Sequence, residues 1–375
     1  MNDERERQLC EVQAYFRLPS IGLVEKDLEV VRAIAAIAAL DASPFTLVFG
    51  GGTALARAHK IVRRMSEDVD FKIVPTAAAP TSRSGLRRSL AKLRGQVRDA
   101  LHVAGFVFDP EDDHAQHSQN EDRYTVWHLP YDSITGPGHG LRPEIKLELT
   151  YAPMRQPPVT LPVSSFVTEA VKGLPDIACI ACFGLNETAA EKLIALTRRT
   201  AMDLAGLSQD PDPTLVRHIY DLYAMRDLID TVTVGNLAAD IAASDAIEFR
   251  NQYSAYADDI AGETRKALDA LQNEPIHRRR FDDFLSAMVY GEKSEFTDAL
   301  GTVMGLAEKT KQLREHQRVL TGEMRSQIDC MRKPKRTMHQ QKEAFGRRGN
   351  GVPVREIARR YAVNHSTISR LHVNG

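Results

Sequence analysis

A short apolar run, Phe45 to Phe49, leads directly into Gly50-Gly51-Gly52-Thr53, and the chain returns a dozen residues later as Ser66-Glu67-Asp68-Val69-Asp70-Phe71. Few arrangements satisfy this pattern. The apolar run reads as a buried strand, the glycines as a turn in which backbone comes close to another group, and Thr53 to Arg64 as a helix. Val69 to Val74 reads as a second strand, so the period of two puts the Asp68 and Asp70 carboxylates on one face and Val69 on the other. Two such charges ~4 Å apart repel by roughly 4 kcal/mol at an effective dielectric near 20. A divalent cation removes that cost, and oxygen ligands together with substrate phosphates suit Mg²⁺ or Mn²⁺. An Asp-x-Asp pair is also a common solvated strand end, and a glycine turn is more often structural than phosphate-binding. The pattern is not a P-loop, because no Gly-Lys-Ser/Thr follows the glycines.

A third carboxylate is available. In Glu144-Ile145-Lys146-Leu147-Glu148, alternation places Glu144, Lys146 and Glu148 on one face and Ile145, Leu147 and Leu149 on the other. If that strand, 142–150, lies beside Asp68 and Asp70, either glutamate can complete a cation site. Glu148, with apolar neighbours on both sides, is the stronger candidate.

Elsewhere the periodicity predicts a helix over 24–40, a loop over 75–84, an arginine-rich helix over 86–104 and a strand over 124–129. A polar excursion occupies 109–122. From Asn186 the pattern is helical to about Ile328. Domain boundaries follow: an N-terminal helical segment at 1–44, an α/β catalytic domain at 45–185, a helical lobe at 186–330, a basic linker at 331–350 and a small all-α tail at 351–375. The longest apolar stretch, 33–40, is far too short to span a bilayer, and no export signal is read at the N-terminus. Four cysteines in 375 residues suit a reducing cytoplasm. Cys179-Ile-Ala-Cys182 has no second pair and does not suggest zinc. His114, His117 and His128 have no ligand spacing.

The formal net charge of −1 hides an asymmetry: from Lys309 onward there are 16 Lys/Arg against 5 Asp/Glu. A basic tail on an acidic body suggests a polyanionic partner.

Gly51-Gly52-Thr53 followed by Ser66-Glu67-Asp68-Val69-Asp70-Phe71 resembles the signature of polymerase-β-type nucleotidyltransferases, and "GGTALAR…RMSEDVDFKI" is most similar to the AbiEii/AbiGii toxin family that includes the MenT toxins. Glu191-Lys192-Leu193 and the later Tyr220-Asp221-Leu222-Tyr223 match the family's lysine helix and Asp-Leu-Tyr segment in order. The resemblance implies an α+β nucleotidyltransferase fold with a helical lobe. It implies that the amides of Gly51 and Gly52 and the Thr53 hydroxyl hold an NTP, and that Asp68 and Asp70 bind the metal. Glu148 would aid deprotonation of the acceptor hydroxyl, Lys192 would face the phosphates, and Asp221 would orient Lys192 or a nearby basic group. It further implies a toxin that transfers a nucleoside monophosphate to RNA, with tRNA as the favoured acceptor, and that is held by a cognate antitoxin. The 109–122 excursion and the Arg198-Arg199 pair depart from compact family members. Val352 to Leu371 resembles the helix-turn-helix of Hin-type resolvases and invertases, which implies DNA as a partner of the tail. A competing reading is a non-catalytic DNA-binding regulator that uses the nucleotide fold only as a sensor.

Overall fold

The computed structural model describes residues 2–134, 141–208 and 211–310, all within one compact unit, Met1–Leu313. The expected basic linker and helix-turn-helix lie outside the described residues.

Two helices, α1 (Asn2–Phe16) and α2 (Ile21–Ala38), precede β1 (Phe45–Gly50), α3 (Gly51–Arg57) and β2 (Asp68–Pro75). The next elements are α4 (Arg83–Val103), β3 (Gln116–Gln119), β4 (Tyr124–Pro130) and β5 (Glu144–Tyr151), then β6 (Val159–Val163), α5 (Phe166–Ala170) and β7 (Ile177–Cys182). From Leu185 the described chain is helical: α6 (Leu185–Leu204), α7 (Arg217–Met225), α8 (Thr231–Glu248), α9 (Ser254–Asp258), α10 (Ile260–Asn273), α11 (Pro275–Met288) and a helix through 296–310.

The strands form one mixed sheet in the order β3-β4-β5-β2-β1-β7-β6. β2 pairs antiparallel with β1 and parallel with β5, placing Gly50 opposite Asp70 and Asp70 opposite Glu148. The apolar alternates Val69, Phe71, Ile145, Leu147 and Leu149 face α2 and α4, where they pack with Ile34, Leu86, Leu90, Leu93 and Trp127 in a continuous core. Period two then requires Asp68, Asp70, Lys146 and Glu148 to share the other face. The helices from α6 onward surround a second core built on Leu193, Leu196, Ile219, Leu222 and Phe281. No described helix is long and apolar enough to cross a membrane.

Three elements differ from the sequence expectation. The helix expected over 53–64 stops at Arg57; Ala58 caps it and Lys60 has φ +57°, after which the chain runs irregularly to Arg64. The polar excursion at 109–122 contains β3 and a turn in which Asn120, Glu121 and Asp122 all have positive φ. Strands β6 and β7 had no clear alternation, and the Cys-x-x-Cys residues belong to β7, with Cys182 buried and Cys179 exposed.

Candidate active site

The glycine turn is shaped by what crosses it. Gly51 has φ +72°, and a Cβ there would lie 1.8 Å from Asp70 Oδ2. At Gly52 a Cβ would lie 2.2 Å from Arg64 Nη2. Any larger residue at either position would displace a charged side chain, so the turn and the charges behind it form one structure.

These residues line a cleft of about 790 Å³. One wall carries Gly51, Gly52, Glu67, Asp68, Asp70, Arg142, Lys146 and Glu148; the facing wall carries Lys192, Arg199, Asp212, Arg217 and His218 from the helical side. The sheet therefore supplies most of the acids, and the helices supply a cationic wall. Asp212 holds that wall in place, accepting from Arg217 Nη1 at 2.7 Å and pairing with Arg199 at 3.3 Å. Although burial works against it, these arginines and the Thr214 contacts bring the Asp212 carboxyl down to about 2.

Asp68 and Asp70 lie in the cleft, as alternation required. Arg142 Nη2 donates to Asp68 Oδ1 at 2.5 Å. Asp70 has no such ion pair among the described residues, and only the more distant Lys192 acts to lower it. Burial first, then the neighbouring Glu148 and Asp68 carboxylates, push it up to about 8. Burial also acts to raise Glu148, but its partner Lys146 (2.5 Å) and the Tyr124 hydroxyl, which donates to Oε1 at 2.6 Å, outweigh it and keep Glu148 low. Three carboxylates thus meet on one sheet face with too little positive charge among them. An all-oxygen donor set with that deficit fits a hard divalent cation. Among the described residues no preformed cage of three metal-ligating side chains exists. A cation here would rest on one or two carboxylates, with substrate and water oxygens completing its shell, as suits Mg²⁺.

Lys192 and Asp221 come together, with Lys192 Nζ 2.7 Å from Asp221 Oδ2. Asp221 is fully buried and does not line the cleft; it orients groups that do. It also accepts two hydrogen bonds of 2.7 Å, from Arg64 Nε and Nη2, in a bidentate pair. Burial opposes ionisation of Asp221, but Arg64 and Lys192 overcome it and hold the carboxyl well below its usual range. Lys192 is shifted downward by burial and by Arg64, against the pull of Asp221.

Thr53 departs from its expected role. Its side chain is buried, it does not line the cleft, and its hydroxyl donates to the carbonyl oxygen of Asp68. A hydroxyl bonded in this way ties the glycine turn to the first residue of β2 rather than presenting itself to a ligand.

Sequence reasoning missed Arg64, Arg142, Tyr124 and Lys26. Lys26 is fully buried in α2 and donates to the carbonyls of Arg142 (2.6 Å) and Glu144 (2.5 Å), fixing the start of β5. The available signal was a lysine among the apolar residues of the 24–40 stripe.

A glycine turn on a mixed sheet, facing carboxylates two apart and a helical wall that presents a lysine, defines a nucleotidyltransferase. Residues 32–302 match the family described as "Nucleotidyl transferase AbiEii toxin, Type IV TA system", and the chain belongs to that family. The solved structure of MenT4, a nucleotidyltransferase toxin from Mycobacterium tuberculosis H37Rv, aligns with 80% of this chain and 88% of its own at 14% identity and a TM-score of 0.41. No curated protein sequence matches.

Proposed function

We propose that this toxin-type nucleotidyltransferase transfers a nucleoside monophosphate from an NTP to a hydroxyl of an RNA acceptor, with tRNA as the favoured acceptor. The observation that carries this reading is the charge layout of the cleft: Asp70, buried beside Asp68 and Glu148 on the sheet without an ion pair among the described residues, opposite Lys192, Arg199 and Arg217 on the helices. The cationic wall suits a triphosphate, which would lie between it and the amides of Gly51 and Gly52. Phosphoryl transfer needs positioning and charge neutralisation more than covalent help. A Mg²⁺ ion held by Asp68 and Asp70, when bound, neutralises charge on the phosphates and lowers the cost of bringing an acceptor oxygen near them.

The acceptor hydroxyl oxygen forms a bond to the α-phosphorus, the bond to the bridging oxygen breaks, and pyrophosphate leaves. Glu148, kept ionised by Lys146 and Tyr124, faces the acceptor side and receives the hydroxyl proton. Lys192, aimed by Asp221, offsets charge on the departing phosphates. Thr53 holds Asp68 at the turn. Asp68, Asp70 and Lys192 are all present in a chain that belongs to an enzyme family, so the sensor-only regulator is set aside. Type IV membership supports a cognate antitoxin as partner. DNA remains the proposed partner of the basic tail.

The test is incubation of the purified protein with Mg²⁺ or Mn²⁺, each α-labelled NTP in turn, and total RNA. Label joined to RNA with release of pyrophosphate, absent in Asp70→Asn, is expected. Unlabelled RNA with all four NTPs would overturn the reading.

A further inference from the structure

Helix α4 lies on the sheet face opposite the cleft and buries Leu86, Leu90, Leu93, Val97 and Leu101 against it. Its outer side presents Arg83, Arg87, Arg88 and Lys92, all exposed. Arg83 with Arg87, and Arg88 with Lys92, are each four residues apart, so the four cations form two rows, one on either side of the outward surface. Arg83 pairs with Glu121 of the β3–β4 turn, whereas Arg87, Arg88 and Lys92 form no ion pair with another described residue. Between these cations the helix surface is low. Ser84, Ala91 and Gly95 follow one another along it, and a Cβ at Gly95 would meet nothing within 4 Å.

We propose that this face of α4 is a docking surface for the phosphate backbone of the RNA acceptor. The proposal rests on the function given above. Guanidinium groups match phosphate geometry, and a low ridge between them lets a backbone approach closely. The exposed residues of these rows are charged or small, and the exposed apolar Val103 stands apart from them at the C-terminal end of the helix. The helix is continuous with the route to the cleft. Arg94 of α4 pairs with Asp122, so α4 meets the sheet at its β3–β4 edge. From that edge to β2 is three strand spacings, ~14 Å, and the α4 layer adds ~10 Å. A strand rising ~3.4 Å per nucleotide covers the whole path in about seven nucleotides. RNA held on α4 can therefore turn its end around the β3 edge into the cleft. α4 would select acceptors long enough to span both places.

The test uses the full chain carrying Arg87→Glu, Arg88→Glu and Lys92→Glu together, with Arg265→Glu, Arg279→Glu and Lys293→Glu, three exposed cations away from α4, as the control of equal charge change. RNA binding is followed by fluorescence anisotropy against salt, and transfer is assayed on structured RNA and on a short single-stranded oligonucleotide. The triple variant is expected to lose about three units of salt slope and to raise KM for structured RNA at least ~10-fold, with NTP binding and turnover on the oligonucleotide unchanged. Gly95→Tyr, which removes no charge and has free space around it, is expected to weaken structured RNA alone. Wild-type RNA affinity in the triple variant, or an equal loss in the three-site control, overturns the proposal. So does loss of binding to an acidic peptide with RNA binding intact. Failure of the functional reading is separate: the wild-type protein would then transfer no nucleotide, whereas the anisotropy comparison would still report whether α4 holds RNA.

Discussion

Arg64 and Asp221, 157 residues apart, meet through two parallel hydrogen bonds of 2.7 Å, both side chains buried. Lys192 shares the same carboxylate at 2.7 Å. One anion thus compensates two cations and joins the segment before β2 to α6 and α7. Asp221→Ala leaves both cations buried and unpaired, and it is expected to destabilise the protein by about 3–5 kcal/mol. Lys192→Ala, which leaves the Arg64–Asp221 pair intact, is expected to lower transfer with a much smaller stability loss. Chemical denaturation beside labelled-NTP kinetics separates the two; equal destabilisation would make Lys192 a structural residue.

Asp70→Asn and Asp68→Asn are expected to abolish transfer without unfolding the protein. For Asp70→Asn the melting temperature is expected to hold or rise, since a buried carboxylate facing Glu148 and Asp68 is removed. Transfer by either variant at the wild-type rate would disprove the cation role.

Mg²⁺ or Mn²⁺ at 100 times its dissociation constant is expected to stabilise the folded protein by about 2.7 kcal/mol. EDTA removes the gain, and Asp70→Asn never shows it. Thermal melts with and without metal check this, independently of any RNA.

Thr53→Val removes the hydroxyl that holds the Asp68 carbonyl and is expected to cost about 1 kcal/mol. Thr53→Ser should restore both stability and rate. If Thr53→Val instead raises KM for NTP and leaves stability untouched, Thr53 contacts the nucleotide after all.

His218 is buried, and desolvation together with Lys192, Arg217 and Arg199 lowers its pKa well below 6.5, against the smaller pull of Asp221. The folded state therefore refuses a proton that the unfolded chain accepts. The resulting stability is present above pH 6.5 and is lost as pH falls below it, by at most ~1.4 kcal/mol per unit. His218→Gln should flatten the pH dependence of the melting temperature between pH 6.5 and 5.

The legible parts of this site were those that short-range geometry determines. Asp68 and Asp70 share a face because they are two apart on a strand, and the run from Gly50 to Gly52 marks a close approach whatever crosses it. Arg64 was illegible: it stands on irregular backbone after a helix that ends early at Arg57, and its meaning lies in Asp221. Lys26 was hidden because a buried lysine looks like any other helix lysine until its carbonyl partners, on a strand more than a hundred residues away, are known. β7 was missed because Ile-Ala-Cys-Ile-Ala-Cys alternates no polarity, and Thr53 was misplaced because its hydroxyl is bonded to the backbone of the next strand.

The joining of Arg64, Lys192 and Asp221 has a consequence during synthesis. A polypeptide still being made carries its glycine turn and both strand carboxylates long before α7 exists. Until Asp221 has emerged, Arg64 and Lys192 lack their shared counter-charge. The catalytic cleft is therefore assembled only after more than half of the chain has been made.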